Sequence, residues 1–211
     1  MNNIKIKVFY IMAIQVIILL FAACNSKETN IKIDDEYIDS ILNHRSEKDS
    51  TMRVGLHSPF NRDTTVEFSP LRYYNPDPAF LFKSKLFRYD PPDTVEVLGT
   101  KGETRQVIRE GFVKLDFKET GYRVNIYKGF SANGVAYHSI WFTDKTTGDE
   151  TYGVGRYLDF EMNEDPDFVY EIDFNYAYNP YCAYSAKFSC PIPRKEDYLD
   201  FNIEAGEKNF H

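Results

Sequence analysis

Six side chains in the C-terminal third are of types that grip small polar molecules. They are Arg156 and Asp159 in TYGVGRYLDF, and Asp173, Asn175, Tyr178 and Asn179 in YEIDFNYAYNP. Alternation puts Arg156 on one side with Tyr152, Val154 and Leu158. A guanidinium among apolar neighbours needs a carboxylate, a carbonyl or a bound anion as partner. If the two segments are neighbours, Arg156 can hold a small anionic or hydroxyl-bearing ligand while the amides orient it. The competing arrangement pairs Arg156 with a protein acid and uses the amides to cap turns beside Pro180. A hydrolase-like enzyme would instead set Asp173 beside Arg156 in a cleft.

Other chemistry is thinner. His44, His57, His138 and His211 lack metal-ligand spacing, no G-x-S-x-G elbow is present, and Ser58 follows His57 by simple adjacency. Asp159 with Asp173 suits acid-base work or two solvated strand ends. The acidic run 161–167 lacks the spacing of a calcium loop and reads as a solvated turn around Pro166. No metal and no cofactor are expected. Cys182 and Cys190 form either a disulfide or a free or metal-binding pair. The disulfide is favoured, because zinc wants four ligands and no histidine lies near in sequence.

These groups must be positioned by strands. Val113, Leu115 and Phe117 alternate with Lys114, Asp116 and Lys118, and Tyr122, Val124 and Ile126 repeat the pattern after a turn, predicting a hairpin. A second hairpin is predicted between 135–142 and 151–158. Further strands are read at 65–68, 79–89, 94–98 and 105–109. Along 170–179, Tyr170, Ile172, Phe174, Tyr176 and Tyr178 share one face and the carboxylates and amides the other, until Pro180 ends the strand. One helix is expected over 35–50, from the spacing of Tyr37, Ile38, Ile41 and Leu42. The fold class is therefore mainly β, an antiparallel sandwich or barrel-like domain of about ten strands with one N-terminal helix.

The N-terminus carries an address. Lys5 and Lys7 precede an apolar run from Val8 to Ala23, too short for a comfortable bilayer span and followed at once by Cys24. The pattern resembles the lipobox of bacterial lipoproteins, with Phe21 where leucine is usual. It implies removal of 1–23, lipidation of Cys24, a tether over 24–33 and one domain over 34–211. Loss of the two lysines takes the net charge from −7 to −9, and such a surface repels nucleic acid. The expected location is the cell envelope, lipid-anchored, on the periplasmic side of the outer membrane, since Asn25 and Ser26 lack an aspartate that resembles a retention signal.

TYGVGRYLD, IDFNYAYNPYCAY, SCPIP and IEAGEK, with FTDKTTGDETY before them and SPF at 58–60, resemble the bacterial domain-of-unknown-function family 1684. The resemblance covers most of the chain beyond the tether and implies no activity, substrate or catalytic residue. Asp197-Tyr198-Leu199 stands where the family usually has asparagine-arginine-leucine, so the role of that arginine is absent or supplied elsewhere. With sixteen tyrosines and seventeen phenylalanines, which suit either a core or a sugar-stacking surface, the expected function is binding of a small polar ligand or glycan. A hydrolase-like enzyme or a structural partner in an envelope complex are the alternatives.

Overall fold

The computed structural model describes residues 35–131 and 133–211. The leader, Cys24 and the whole of the tether lie outside them. A helix, α1, runs over 35–54, four residues beyond the end expected from its apolar stripe. No helix among the described residues is long and apolar enough to cross a membrane.

Eight strands follow among the described residues: β1 (Leu81–Lys85), β2 (Phe87–Leu98), β3 (Thr104–Phe117), β4 (Thr120–Phe130), β5 (Ala136–Asp144), β6 (Arg156–Asp159), β7 (Val169–Asp173) and β8 (Tyr198–Leu199). β2 to β6 form one antiparallel meander in sequence order, with β8 added in parallel to β5, and β1 pairs with β7 in a separate two-stranded sheet. The sheets do not close into a barrel. The hairpin read from 113–126 is present, with Val113 opposite Val124 and Leu115 opposite Tyr122.

Alternation assigns the two faces of the meander. Val113, Leu115, Val124, Ile126, Ile140, Phe142 and Leu158 meet Phe82 and Ile172 of the small sheet and Phe80, Phe174, Phe201 and Ile203 from the connections. This sandwich is the main core. The opposite face carries Val97, Val107, Tyr127, Trp141 and Tyr157, covered by the segment with Tyr178, Cys182 and Cys190. Tyr127 and Trp141 stack there with centroids 4.6 Å apart and planes 6° from parallel.

Several expectations need correction. The strand read over 79–89 divides into β1 and β2, β2 runs on through 94–98, and the second arm of the second hairpin begins only at Arg156. Residues 65–68 are irregular. The segments 105–109 and 111–118 are one strand, β3, whose register slips by one residue at Glu110, as a bulge does. Most consequential for the site, the strand read over 170–179 ends at Asp173. The Asp173 carboxylate accepts from Asn175 N–H at 2.9 Å and caps a 3-10 turn, Phe174–Tyr176. A side chain that offers the backbone a local partner competes with the ladder, and alternation stops there.

Candidate functional site

Arg156 opens β6 opposite Phe142 and has no exposed surface. Its Nη2 donates to Asp144 Oδ2 and to the Ile203 carbonyl, both at 2.8 Å. Nη1 donates to the carbonyls of Ala205, at 2.5 Å, and Glu207, at 3.3 Å. The Asp144 carboxylate is buried too, and its other oxygen accepts from Thr146 N–H at 2.7 Å and Thr146 Oγ1 at 2.6 Å. The guanidinium thus pins the C-terminal segment 203–207 onto β5 and β6. Two glycines make this approach possible. Gly155 has φ +112° and a Cβ there would stand 2.6 Å from the Phe142 carbonyl oxygen. Gly206 has φ +72° and a Cβ would stand 2.6 and 2.7 Å from the carbonyl oxygens of Ala177 and Phe174.

The other predicted site residues fall into separate groups. Asn175 is buried, exchanges hydrogen bonds with the Asp77 backbone in both directions at 2.9 and 2.8 Å, and its Nδ2 also donates to Asp173 at 2.8 Å. Its carbonyl accepts from Arg45 Nη2 at 3.2 Å. Tyr178 pairs its backbone with Tyr157 and donates its hydroxyl to the exposed Asp159 at 2.6 Å. Burial, then the Asp159 charge, push the Tyr178 phenol well above its usual range. Asn179 donates its N–H to Glu207 at 3.1 Å and its Nδ2 to the Lys208 carbonyl at 2.8 Å. The six residues therefore do not surround one space, and Arg156, the intended grip, has protein partners on both terminal nitrogens.

Sequence reasoning missed Asp144, the partner of Arg156, and Glu207. The Glu207 carboxylate is buried and receives Lys48 Nζ at 2.9 Å, Asn179 N–H and the Tyr184 hydroxyl. Burial first, and then the neighbouring Glu207 carboxylate, hold the Tyr184 phenol well above its ordinary range. No signal short of tertiary contact marks either acid.

An open cleft lies elsewhere, where the β3–β4 turn faces the segment after β8. Its volume is about 480 Å³, and Phe80, Phe117, Tyr122 and Phe201 form its floor. Phe117 and Phe201 stack with centroids 4.2 Å apart, and Tyr122 tilts against Phe201 at 4.9 Å. Lys118, Thr120, Lys145, Asp200, Asn202 and Glu204 make the rim. Lys145 and Asp200 pair at 3.1 Å while both remain largely exposed. Asn202 Nδ2 donates to Glu204 at 3.3 Å. The cleft is an open trough, more polar than apolar on its accessible surface, with aromatic rings set among donors and acceptors. Among the described residues no group of three or more histidine, cysteine or acidic side chains is placed to hold a metal ion.

The fold and these sites define a mainly β domain in which the buried Arg156, with Asp144, and the buried Glu207 fasten the C-terminal segment. The family model for a protein of unknown function, DUF1684, matches residues 66–208, and the chain belongs to that family. The solution NMR structure of an uncharacterised protein of Haloarcula marismortui is similar, with a TM-score of 0.61 and 28% identity, covering 84% of this chain and 96% of the other. No curated protein matches the chain.

Proposed function

We propose that the chain is a lipid-anchored protein of the cell envelope that binds a small hydroxyl-bearing ligand, a glycan or a comparable polar molecule, in the cleft between 117–122 and 200–204. The observation that carries the reading is the cleft itself, whose volume of about 480 Å³ falls in the range usual for ligand sites, about 300–1,000 Å³. Tyr122 and Phe117, packed on the buried Phe201, give an aromatic seat. Asp200 and Glu204 accept from hydroxyls, and Lys118 and Asn202 donate. The exposed Lys145–Asp200 pair contributes little to stability, so a ligand displaces it at small cost. Arg156, Asn175 and Asn179 enter this function as braces of the framework.

The anchor is read from Lys5, Lys7, the apolar run and Cys24. After cleavage the Cys24 sulfur carries a diacylglycerol and its amine an acyl chain. Several chains together hold firmly because each buried methylene contributes about 0.8 kcal/mol. The outer membrane, periplasmic side, is the proposed location; Cys182 and Cys190 are unbonded in this structure, and that oxidising compartment would close them into a disulfide. Mass spectrometry of the processed N-terminus tests the anchor: an unmodified Cys24 in the membrane fraction refutes it. A thermal-shift panel of neutral and anionic oligosaccharides, repeated on Tyr122→Ala, tests the cleft. The reading requires a stabilising sugar whose shift disappears in the variant, and it fails if every sugar is silent or shifts both proteins alike.

A further inference from the structure

The two cysteines at the edge of the second core are not equivalent. Both are free thiols, and the Cys182 backbone N–H donates to Cys190 Sγ at 3.4 Å, which sets one sulfur beside the other residue. Cys190 sits in a rigid frame. Its N–H donates to Thr100 Oγ1 at 3.2 Å, its carbonyl accepts from Thr100 N–H at 3.0 Å, and the following Pro191 bridges to Gly99. Its side chain packs with Val97, Val107 and Trp141 and is buried. Cys182 is half-buried, on the short 3-10 turn Tyr181–Ala183, whose N-cap Pro180 offers no side-chain hydrogen bond. Lys101 Nζ donates to the Lys187 carbonyl at 2.8 Å, and Arg105, ion-paired with Glu103, donates Nη2 to the Ser189 carbonyl at 2.9 Å.

From this asymmetry we infer that the pair is a thiol–disulfide exchange site in which Cys182 attacks and Cys190 resolves, and that its natural co-reactant is a small or protein disulfide. It rests on the pairing proposed above and goes beyond it by assigning a direction. The Cys182 thiolate attacks one sulfur of R–S–S–R, forming a mixed disulfide and releasing RS⁻. That thiolate takes up the Cys190 proton, and Cys190 Sγ attacks Cys182 Sγ and expels the second thiolate, which takes up the proton Cys182 had lost. Two protein thiols are oxidised and one disulfide is reduced to two thiols. The hydrogen bond shared with Cys190, reinforced by Tyr152 and the Thr100 hydroxyl against the opposing effect of burial, lowers the Cys182 thiol to about 6. The same shared bond, then burial, raises Cys190 against the opposing Cys182 N–H and Arg105, and the half-buried Cys182 sulfur is the one a disulfide in solution can reach. A thiolate of this kind is the nucleophile of such exchanges.

The probe is oxidised glutathione added to the full reduced chain. Wild type is expected to lose two hydrogens by intact mass without keeping an adduct, and Cys190→Ser to stop at one glutathionyl group on Cys182. Brief alkylation of the reduced wild type, mapped by peptide, should label Cys182 faster than Cys190 by about tenfold or more; this measurement needs no variant to fold. Labelling that favours Cys190, or falls equally on both, overturns the assigned roles and leaves the pairing intact. Failure of glutathione to close any internal disulfide overturns both.

Discussion

Replacing Arg156 by methionine keeps much of the side-chain volume and removes the charge. Asp144 then keeps its Thr146 donors but becomes a carboxylate with no exposed surface and no counter-charge, while the carbonyls of Ile203, Ala205 and Glu207 lose their donors. Breaking one partner out of a buried ion pair costs about 3–5 kcal/mol, a large part of a total of about 5–15 kcal/mol. At about 2–4 °C per kcal/mol for a domain of this size, the melting temperature falls by about 6–20 °C. Urea unfolding followed by fluorescence of Trp141, the one tryptophan and fully buried, reads the loss directly. Pairing the change with Asp144→Leu should cost less than the two single losses added together, by about 0.5–3 kcal/mol. A loss below about 1 kcal/mol for Arg156→Met, or strict additivity, would refute the idea that this pair clamps the C-terminal segment.

Gly206→Ala places a methyl against two carbonyl oxygens at positive φ, so it should destabilise by more than about 1 kcal/mol in the same urea assay. Asp63 is held well below the usual carboxylate range, first by the Ser185 hydroxyl, then by Thr65 and Lys187. A depressed acid stabilises above its unfolded value and loses that contribution as pH falls towards its folded one. The melting-temperature gap between wild type and Asp63→Asn should therefore narrow below about pH 4, as calorimetry across pH would show. Alkylation of Cys182 should rise with pH around a midpoint below that of an ordinary thiol, measured by peptide mapping, with Cys190, Tyr152 and Tyr157 as the facing titratable groups. A midpoint near the ordinary thiol value of about 8.5 would contradict it.

The sequence carries the sandwich wherever two-residue alternation decides burial, as at Val113, Leu115, Val124 and Ile126. It misleads where a polar side chain competes with the ladder: Asp173 caps a turn, and the tyrosines after it leave the strand. The need of Arg156 for a partner is legible from its apolar neighbours, but not which partner. Asp144 lies twelve residues upstream, and the three carbonyls at 203, 205 and 207 are backbone atoms that no residue type announces. The family membership is legible from IDFNYAYNPYCAY and IEAGEK, and the structure gives much of that second motif a physical role. The Ala205 and Glu207 carbonyls hold Arg156, Gly206 permits the approach and the Glu207 carboxylate collects three donors. The cleft is the least legible feature, because it joins a hairpin turn to an irregular segment some 80 residues away through packing of Phe117 on Phe201.

Saturation-transfer NMR of a stabilising oligosaccharide, recorded on wild type, Tyr122→Ala and Arg156→Lys, tests the cleft most directly. Ring-proton transfer that is strong in wild type and folded Arg156→Lys but lost in Tyr122→Ala is the predicted result. Transfer that survives Tyr122→Ala and disappears with Arg156→Lys would place the ligand at the buried guanidinium and contradict the account.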